Sequence, residues 1–171
     1  MTTDVGTAVI AQEVEQSHTL LLFSRVLDVS LAKEMKFETY GNCFVCGENN
    51  PNGLRLSFEI DKQRQTLKTT FKASPTFQGW DGIVHGGIIS TLLDEAMAKL
   101  VYELGYQAVT ASLEVKFKKP APILEPLHVY GEITEVNKRL IRAKAHVAKV
   151  DGTILASGNS TFLKQTLRGR P

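Results

Sequence analysis

The chain has 171 residues, 43% hydrophobic and 22% charged, with 20 Lys+Arg against 18 Asp+Glu. A chain of this size buries roughly 19,000 Å² on folding, about 70% of what it exposes unfolded, which suffices for one core and a short appendage. The net charge of +2 gives no grip on a polyanion, so nucleic acid is excluded as a dedicated partner. The apolar content excludes a disordered chain, and two cysteines make no disulfide scaffold.

No run approaches the roughly 20 apolar residues of a membrane span, and no basic n-region precedes an apolar h-region. The expectation is therefore a cytoplasmic protein without a membrane span. Residues 1–36 read as a helical N-terminal extension, with Val9, Ile10, Val14, Leu20, Leu21, Phe23, Val26, Leu27 and Leu31 loosely at helical spacing. Its only basic groups are Arg25, Lys33 and Lys36, too few for phosphate contacts, so it is expected to cover a core edge or a subunit interface. Residues 37–171 form the main domain. Residues 41–53 are a loop dense in Gly, Asn and Pro. Leu54, Leu56, Phe58 and Ile60 then alternate, a polar turn spans 61–65, and Leu67, Thr69 and Phe71 alternate again, which predicts a hairpin. Residues 73–84 read as irregular.

From Gly86 to Leu104 the spacing of Ile89, Leu92, Leu93, Ala96 and Leu100 predicts a helix that Gly105 ends. The remainder is strands. Leu113, Val115 and Phe117 alternate with Ser112, Glu114, Lys116 and Lys118, and Pro120 and Pro122 break the run. Leu127 to Ile133 and Ile141 to Val147 alternate next. Asp151-Gly152 is a hairpin turn pair, and Ile154 to Phe162 forms the last strand. One long helix beside so long a meander is α+β, with the sheet curved round the helix to cover its apolar stripe.

The chemistry concentrates in Gln78-Gly79-Trp80-Asp81-Gly82-Ile83-Val84-His85-Gly86-Gly87, which runs straight into the helix. The first turn of a helix carries unpaired N–H donors at its positive end, and glycines leave them open to a polarised carbonyl oxygen. The same two glycines also suit plain close packing, and the pattern alone does not choose. Asp94 lies off the apolar stripe on a strip of small residues, Gly87, Ser90, Thr91 and Ala98, where a second element could come close. An acid desolvated there gains basicity as base or nucleophile; an exposed helix acid is the other reading. Glu95 lies about 100° further round and reads as a solvated surface acid. Gly86 and Asp94 are separated by roughly 12 Å along one helix, too far to act on one carbonyl. If both are catalytic, the site lies at a two-fold interface, with Gly86 from one copy and Asp94 from the other.

The segment FQGWDGIVHGGIISTLLDEAM (residues 77–97) resembles the signature of the PaaI-like hotdog-fold thioesterases, a group that includes the THEM-type acyl-CoA thioesterases. CFVCGENNPNGL (43–54) and VTASLEVKFKKPAP (109–122) share the resemblance, which covers about residues 41–164 and leaves out the N-terminal extension. It implies a hotdog fold, a long helix wrapped by an antiparallel sheet, in a homodimer often paired again into a homotetramer. It further implies Asp94 as nucleophile or general base, the Gly86 N–H as donor to the thioester carbonyl, and Thr110 orienting the acid or the water. Gln78 matches a side-chain amide ahead of HGG, although some members carry Asn one residue later, where this chain has Gly79. His85 holds the loop or the carbonyl, and Gly87 and Trp80 fall to substrate binding. Phe77, Trp80 and Met97 are expected to line an acyl pocket, and Lys116, Lys118 and Lys119 could meet the phosphates of coenzyme A.

Acyl-CoA is thus the expected partner, with no cofactor besides the coenzyme A of the substrate. No metal is expected: Cys43 and Cys46 have zinc-like spacing, but no second Cys pair or His cluster follows. Two rival readings are an acyl-CoA-binding or sensing hotdog protein without turnover, which the acid at position 94 disfavours, and a hotdog dehydratase. The latter needs a His and an acid placed to remove an α-proton, which HGG followed by Asp94 does not suit.

Overall fold

Apolar residues at three- and four-residue spacing make α1 (Gly86–Glu103) a helix with one continuous buried face. Ile89, Leu92, Leu93, Ala96 and Leu100 are buried as expected, and Met97 and Val101 widen the stripe. Met97, expected to line an acyl pocket, is fully enclosed in the core of one copy, because the stripe is wider than a strict two-position seam. Gly105, at φ 85°, ends the helix. Its N–H donates to the Tyr102 carbonyl (2.8 Å) and the Tyr106 N–H to that of Val101 (3.2 Å), the paired bonds of a Schellman stop. These details come from a computed structural model that describes residues 40–165; the extension expected over 1–36 lies outside the described residues.

The buried face of α1 rests on an antiparallel sheet. Its strands are β1 (Glu59–Asp61), β2 (Thr66–Lys72), β5 (Ala108–Phe117), β6 (Pro126–Val136), β7 (Leu140–Lys149) and β8 (Ile154–Lys164), in the order β1-β2-β6-β7-β8-β5. The helix carries the chain from the β2 side to the opposite edge, where β5 lies, and β6 then returns against β2. This is the α+β arrangement expected. The alternation predicted for the last three strands is realised, with Leu127, Val129, Ile141, Ala143, Ala145, Val147, Ala156 and Phe162 buried, whereas on β5 Leu113 and Val115 are half-buried and Phe117 is exposed. At the β7–β8 hairpin Gly152 takes φ 83° and Asp151 accepts from the Thr153 N–H (2.8 Å), as the Asp-Gly pair predicts.

Two stretches differ from expectation. The alternation over Leu54–Phe58 is real in burial, with Leu56 enclosed, but only Glu59–Asp61 pairs with β2. The N–H groups of Leu54 and Leu56 donate instead to the carbonyls of Phe44 and Val45 (2.8 and 2.9 Å), and Arg55 at φ 51° interrupts the extended chain. Residues 73–84 are not wholly irregular: after a 3-10 turn at Pro75–Phe77, β3 (Gln78–Trp80) and β4 (Ile83–Val84) form a two-stranded ribbon leading into α1.

Helix and sheet meet where side chains are smallest. Leu67, Gly131, Ala145, Gly158 and Val115 face one another across β2, β6, β7, β8 and β5. A Cβ on Gly131 would stand 3.1 Å from the Ala96 carbonyl oxygen, and one on Gly158 3.5 Å from Leu93. Gly131→Val is therefore expected to destabilise the chain by about 1–3 kcal/mol, read from the midpoint of urea unfolding. The higher strand propensity of valine, at most about 1 kcal/mol, only partly offsets this. An unchanged midpoint would mean that the helix moves off the sheet freely.

Candidate active site

His85 organises the start of α1. Its Nδ1 accepts from the Gly87 N–H (2.9 Å), and its carbonyl accepts from the N–H groups of Ile88 (2.9 Å) and Ile89 (3.2 Å). An accepting Nδ1 places the ring proton of the neutral imidazole on Nε2. Three of the four donors of the first turn are thereby used, and among the described residues the Gly86 N–H has no acceptor. A Cβ on Gly79 would stand 3.1 Å from His85 Cα and Cδ2, so β3 passes tightly over the histidine. Above Gly86 lies the ring of Phe117, which is 59% exposed.

Two turns further on, Asp94 sits half-buried on the strip of small residues that the sheet leaves uncovered. Along it Ser90 and Thr91 satisfy their hydroxyls on the carbonyls of Gly86 (3.0 Å) and Gly87 (2.9 Å). Thr110 Oγ1 donates to Asp94 Oδ1 at 3.0 Å. Burial raises the carboxyl pKa above its ordinary value, and the Thr110 hydroxyl opposes the rise. Strict alternation counted back from Leu113 would set Thr110 on the face turned away from the helix. An irregularity between Thr110 and Ser112 pairs Thr110 with buried Phe162 and brings it to the helix side.

The other predicted residues are dispersed. Gln78 is exposed, its Oε1 accepting from the Gly82 N–H (3.4 Å), and Trp80 is 80% exposed on the same ribbon. Lys116 is ion-paired with Glu114 (3.3 Å) on the outer side of β5, and Lys118 follows the strand close enough to His146 to help depress its pKa, behind burial. Neither lysine stands beside Asp94 of its own chain. Gly86 and Asp94 share one helix, as expected, so one copy alone does not bring both to a single carbonyl.

Glu95 is a correction. It is not a solvated surface acid: it is half-buried, and burial raises its pKa. The loop at 43–46 covers that side of α1, placing Cys43 Sγ 4.0 Å from Glu95 Oε2. The acid was missed because the loop that covers it is distant in sequence, with Cys43 52 residues away, and nothing in the helical pattern signals it.

With this geometry in place, the family model of the thioesterase superfamily matches residues 81–156. The acyl-coenzyme A thioesterase THEM4 of Bos taurus is 27% identical over 116 residues, covering 66% of this chain and 48% of the relative. The chain thus spans about half the length of the curated relatives it matches. A crystal structure of a thioesterase superfamily protein superposes with TM-score 0.69 at 23% identity, covering 94% of this chain and 81% of the other. A hypothetical thioesterase protein from Streptococcus pneumoniae, solved with coenzyme A, gives TM-score 0.59 at 22% identity, covering 66% of this chain and 89% of the other. Among the described residues no helix is long and apolar enough to cross a membrane.

Proposed function

We propose that this chain, a hotdog-fold member of the thioesterase superfamily, hydrolyses an acyl-CoA thioester to a free acid and coenzyme A at a site shared by two copies. The observation that carries the reading is the half-buried Asp94, bonded to Thr110, on a helix whose first N–H has no acceptor among the described residues. The Gly86 N–H of one copy receives the thioester oxygen as negative charge develops on it. Asp94 of the other copy either attacks the carbonyl carbon or takes a proton from the water that does. On the base route the water oxygen bonds to the carbonyl carbon, the C–S bond breaks, and the proton held by Asp94 passes to the departing thiolate. On the nucleophilic route loss of the thiolate leaves an acyl anhydride on Asp94. A water then hydrolyses it to the free acid, restoring the carboxylate and supplying the proton the thiolate takes. Thr110 holds the carboxylate, His85 fixes the first turn of the helix, and Gln78 lies on the ribbon beside it. Lys116 and Lys118 are the basic groups at the end of β5 for the coenzyme A phosphates, and no further cofactor takes part.

Two features support the shared site. One copy separates Gly86 from Asp94 by roughly 12 Å. β5 lies at the end of the sheet order with one edge unpaired among the described residues, and Phe117 at its end is exposed apolar surface, as is Trp80 on the ribbon that leads into α1.

The test is thiol release from acetyl-, hexanoyl-, lauroyl-, palmitoyl-, phenylacetyl- and 4-hydroxybenzoyl-CoA. Turnover of at least one is expected. Binding by calorimetry without turnover of any would instead assign acyl-CoA sensing. Thr110→Val is expected to lower kcat/KM about 10- to 100-fold, the worth of one hydrogen bond to a charged group, and Thr110→Ser to restore most of it. Equal activity of the Val and Ser variants would remove Thr110 from the site.

A further inference from the structure

Cys43-Phe44-Val45-Cys46-Gly47 folds into a tight knuckle. The Gly47 N–H donates to the Cys43 carbonyl (3.0 Å), and the Val45 N–H donates to Cys43 Sγ (3.3 Å). A Cβ on Gly47 would stand 2.5 Å from both the N and the O of Cys43, so only glycine closes the turn. The sulfurs of Cys43 and Cys46 and a carboxylate oxygen of Glu95 all lie within 4.8 Å of one another. Glu95 Oε1 is completely enclosed and, among the described residues, has no hydrogen-bond partner. The thioesterase chemistry proposed above uses none of these three residues.

A carboxylate enclosed in this way is costly unless something of opposite charge meets it. A dication at the centre of the three residues would hold both sulfurs and a Glu95 carboxylate oxygen together. A backbone N–H directed at a ligand sulfur is the outer support that a metal-bound thiolate accepts. We infer that Cys43, Cys46 and Glu95 bind a zinc-type divalent ion, three protein ligands of a tetrahedral site that ties the 41–53 loop to α1. Two thiolates and a carboxylate suit zinc and discriminate against magnesium and calcium. The fourth position is left to water. The sequence argued against a metal because no second Cys pair or His cluster follows Cys46; the third donor comes from the helix instead.

The test uses the full chain, expressed with zinc in the medium and purified without chelator. Elemental analysis is expected to find about one zinc per chain. Replacement by Co(II) should give intense thiolate-to-cobalt absorption in the near ultraviolet. Cys46→Ser and Glu95→Gln should each lose stoichiometric zinc. Glu95→Gln preserves side-chain shape and remains decisive if Cys46→Ser fails to fold. Chelation should lower Tm and expose two thiols to a thiol reagent, and added zinc should reverse both. The inference is overturned if the reduced chain retains no zinc and shows no charge-transfer absorption with Co(II). It is equally overturned if the purified chain weighs two hydrogens less, as a Cys43–Cys46 disulfide would. These readouts are independent of thioesterase activity, so either proposal can fail alone.

Discussion

Asp94→Asn is expected to lower thiol release from the best acyl-CoA substrate by about 10³-fold, close to 4 kcal/mol of transition-state stabilisation. Asparagine keeps the shape of the side chain and an oxygen able to accept from Thr110, which lies 3.0 Å from the present carboxylate. What it removes is the lone-pair basicity that both routes require. Because the fold raises the Asp94 pKa, the folded chain binds a proton there more readily than the unfolded chain does. At neutral pH the ionised acid therefore works against folding, and the neutral amide leaves Tm equal or slightly higher. Loss of turnover with retained stability is the signature of a functional acid. Activity within tenfold of wild type would dismiss Asp94 as nucleophile or base.

The second expected result isolates a single backbone hydrogen. Gly86 is the first residue of α1, the helical position where proline is best tolerated, and His85 before it has φ −59° and ψ 135°, the extended geometry a following proline prefers. The added Cβ would meet the Phe117 ring at 3.4 Å, an ordinary contact. Gly86→Pro should therefore fold with an intact helix start and lose about 10²- to 10³-fold in kcat, the effect of removing one oxyanion donor. Mixing it with Asp94→Asn then tests the shared site. In a mixed pair, Gly86 of the Asn copy meets Asp94 of the Pro copy, and one of the two sites is whole. Co-expression should restore activity far above either variant. No restoration would place donor and acid within a single copy.

The helix was legible because the 3.6-residue period is carried by Ile89 to Leu100 and stopped by Gly105, which occupies the left-handed region. The four long strands were legible for the same reason at period two. Period counting failed where backbone bonding or packing from afar intervened. Leu56 alternates correctly and is buried, yet its N–H serves the 43–45 loop, which no local pattern reveals. Thr110 stands beyond a slip in β5, so extrapolating from Leu113 places it on the wrong face; only the motif resemblance pointed to it. Glu95 looked solvated because a helical wheel carries no information about a loop arriving from 52 residues away. His85 was assigned to hold the loop or the carbonyl, and its capping of Gly87 needed coordinates to see.

Among the described residues one flank of β5 is unpaired, which has a meaning apart from catalysis. Ten residues of extended chain at the end of a sheet present N–H and C=O groups that any other extended segment can match. The charges of Glu114 and Lys116 point off one face and do little to guard the flank itself. A flank left so is a template for an extended segment of similar length and twist, and the second copy of the proposed shared site would fit both requirements. Assembly would then act as protection against aggregation, and the solubility of the protein would depend on how quickly two copies find each other.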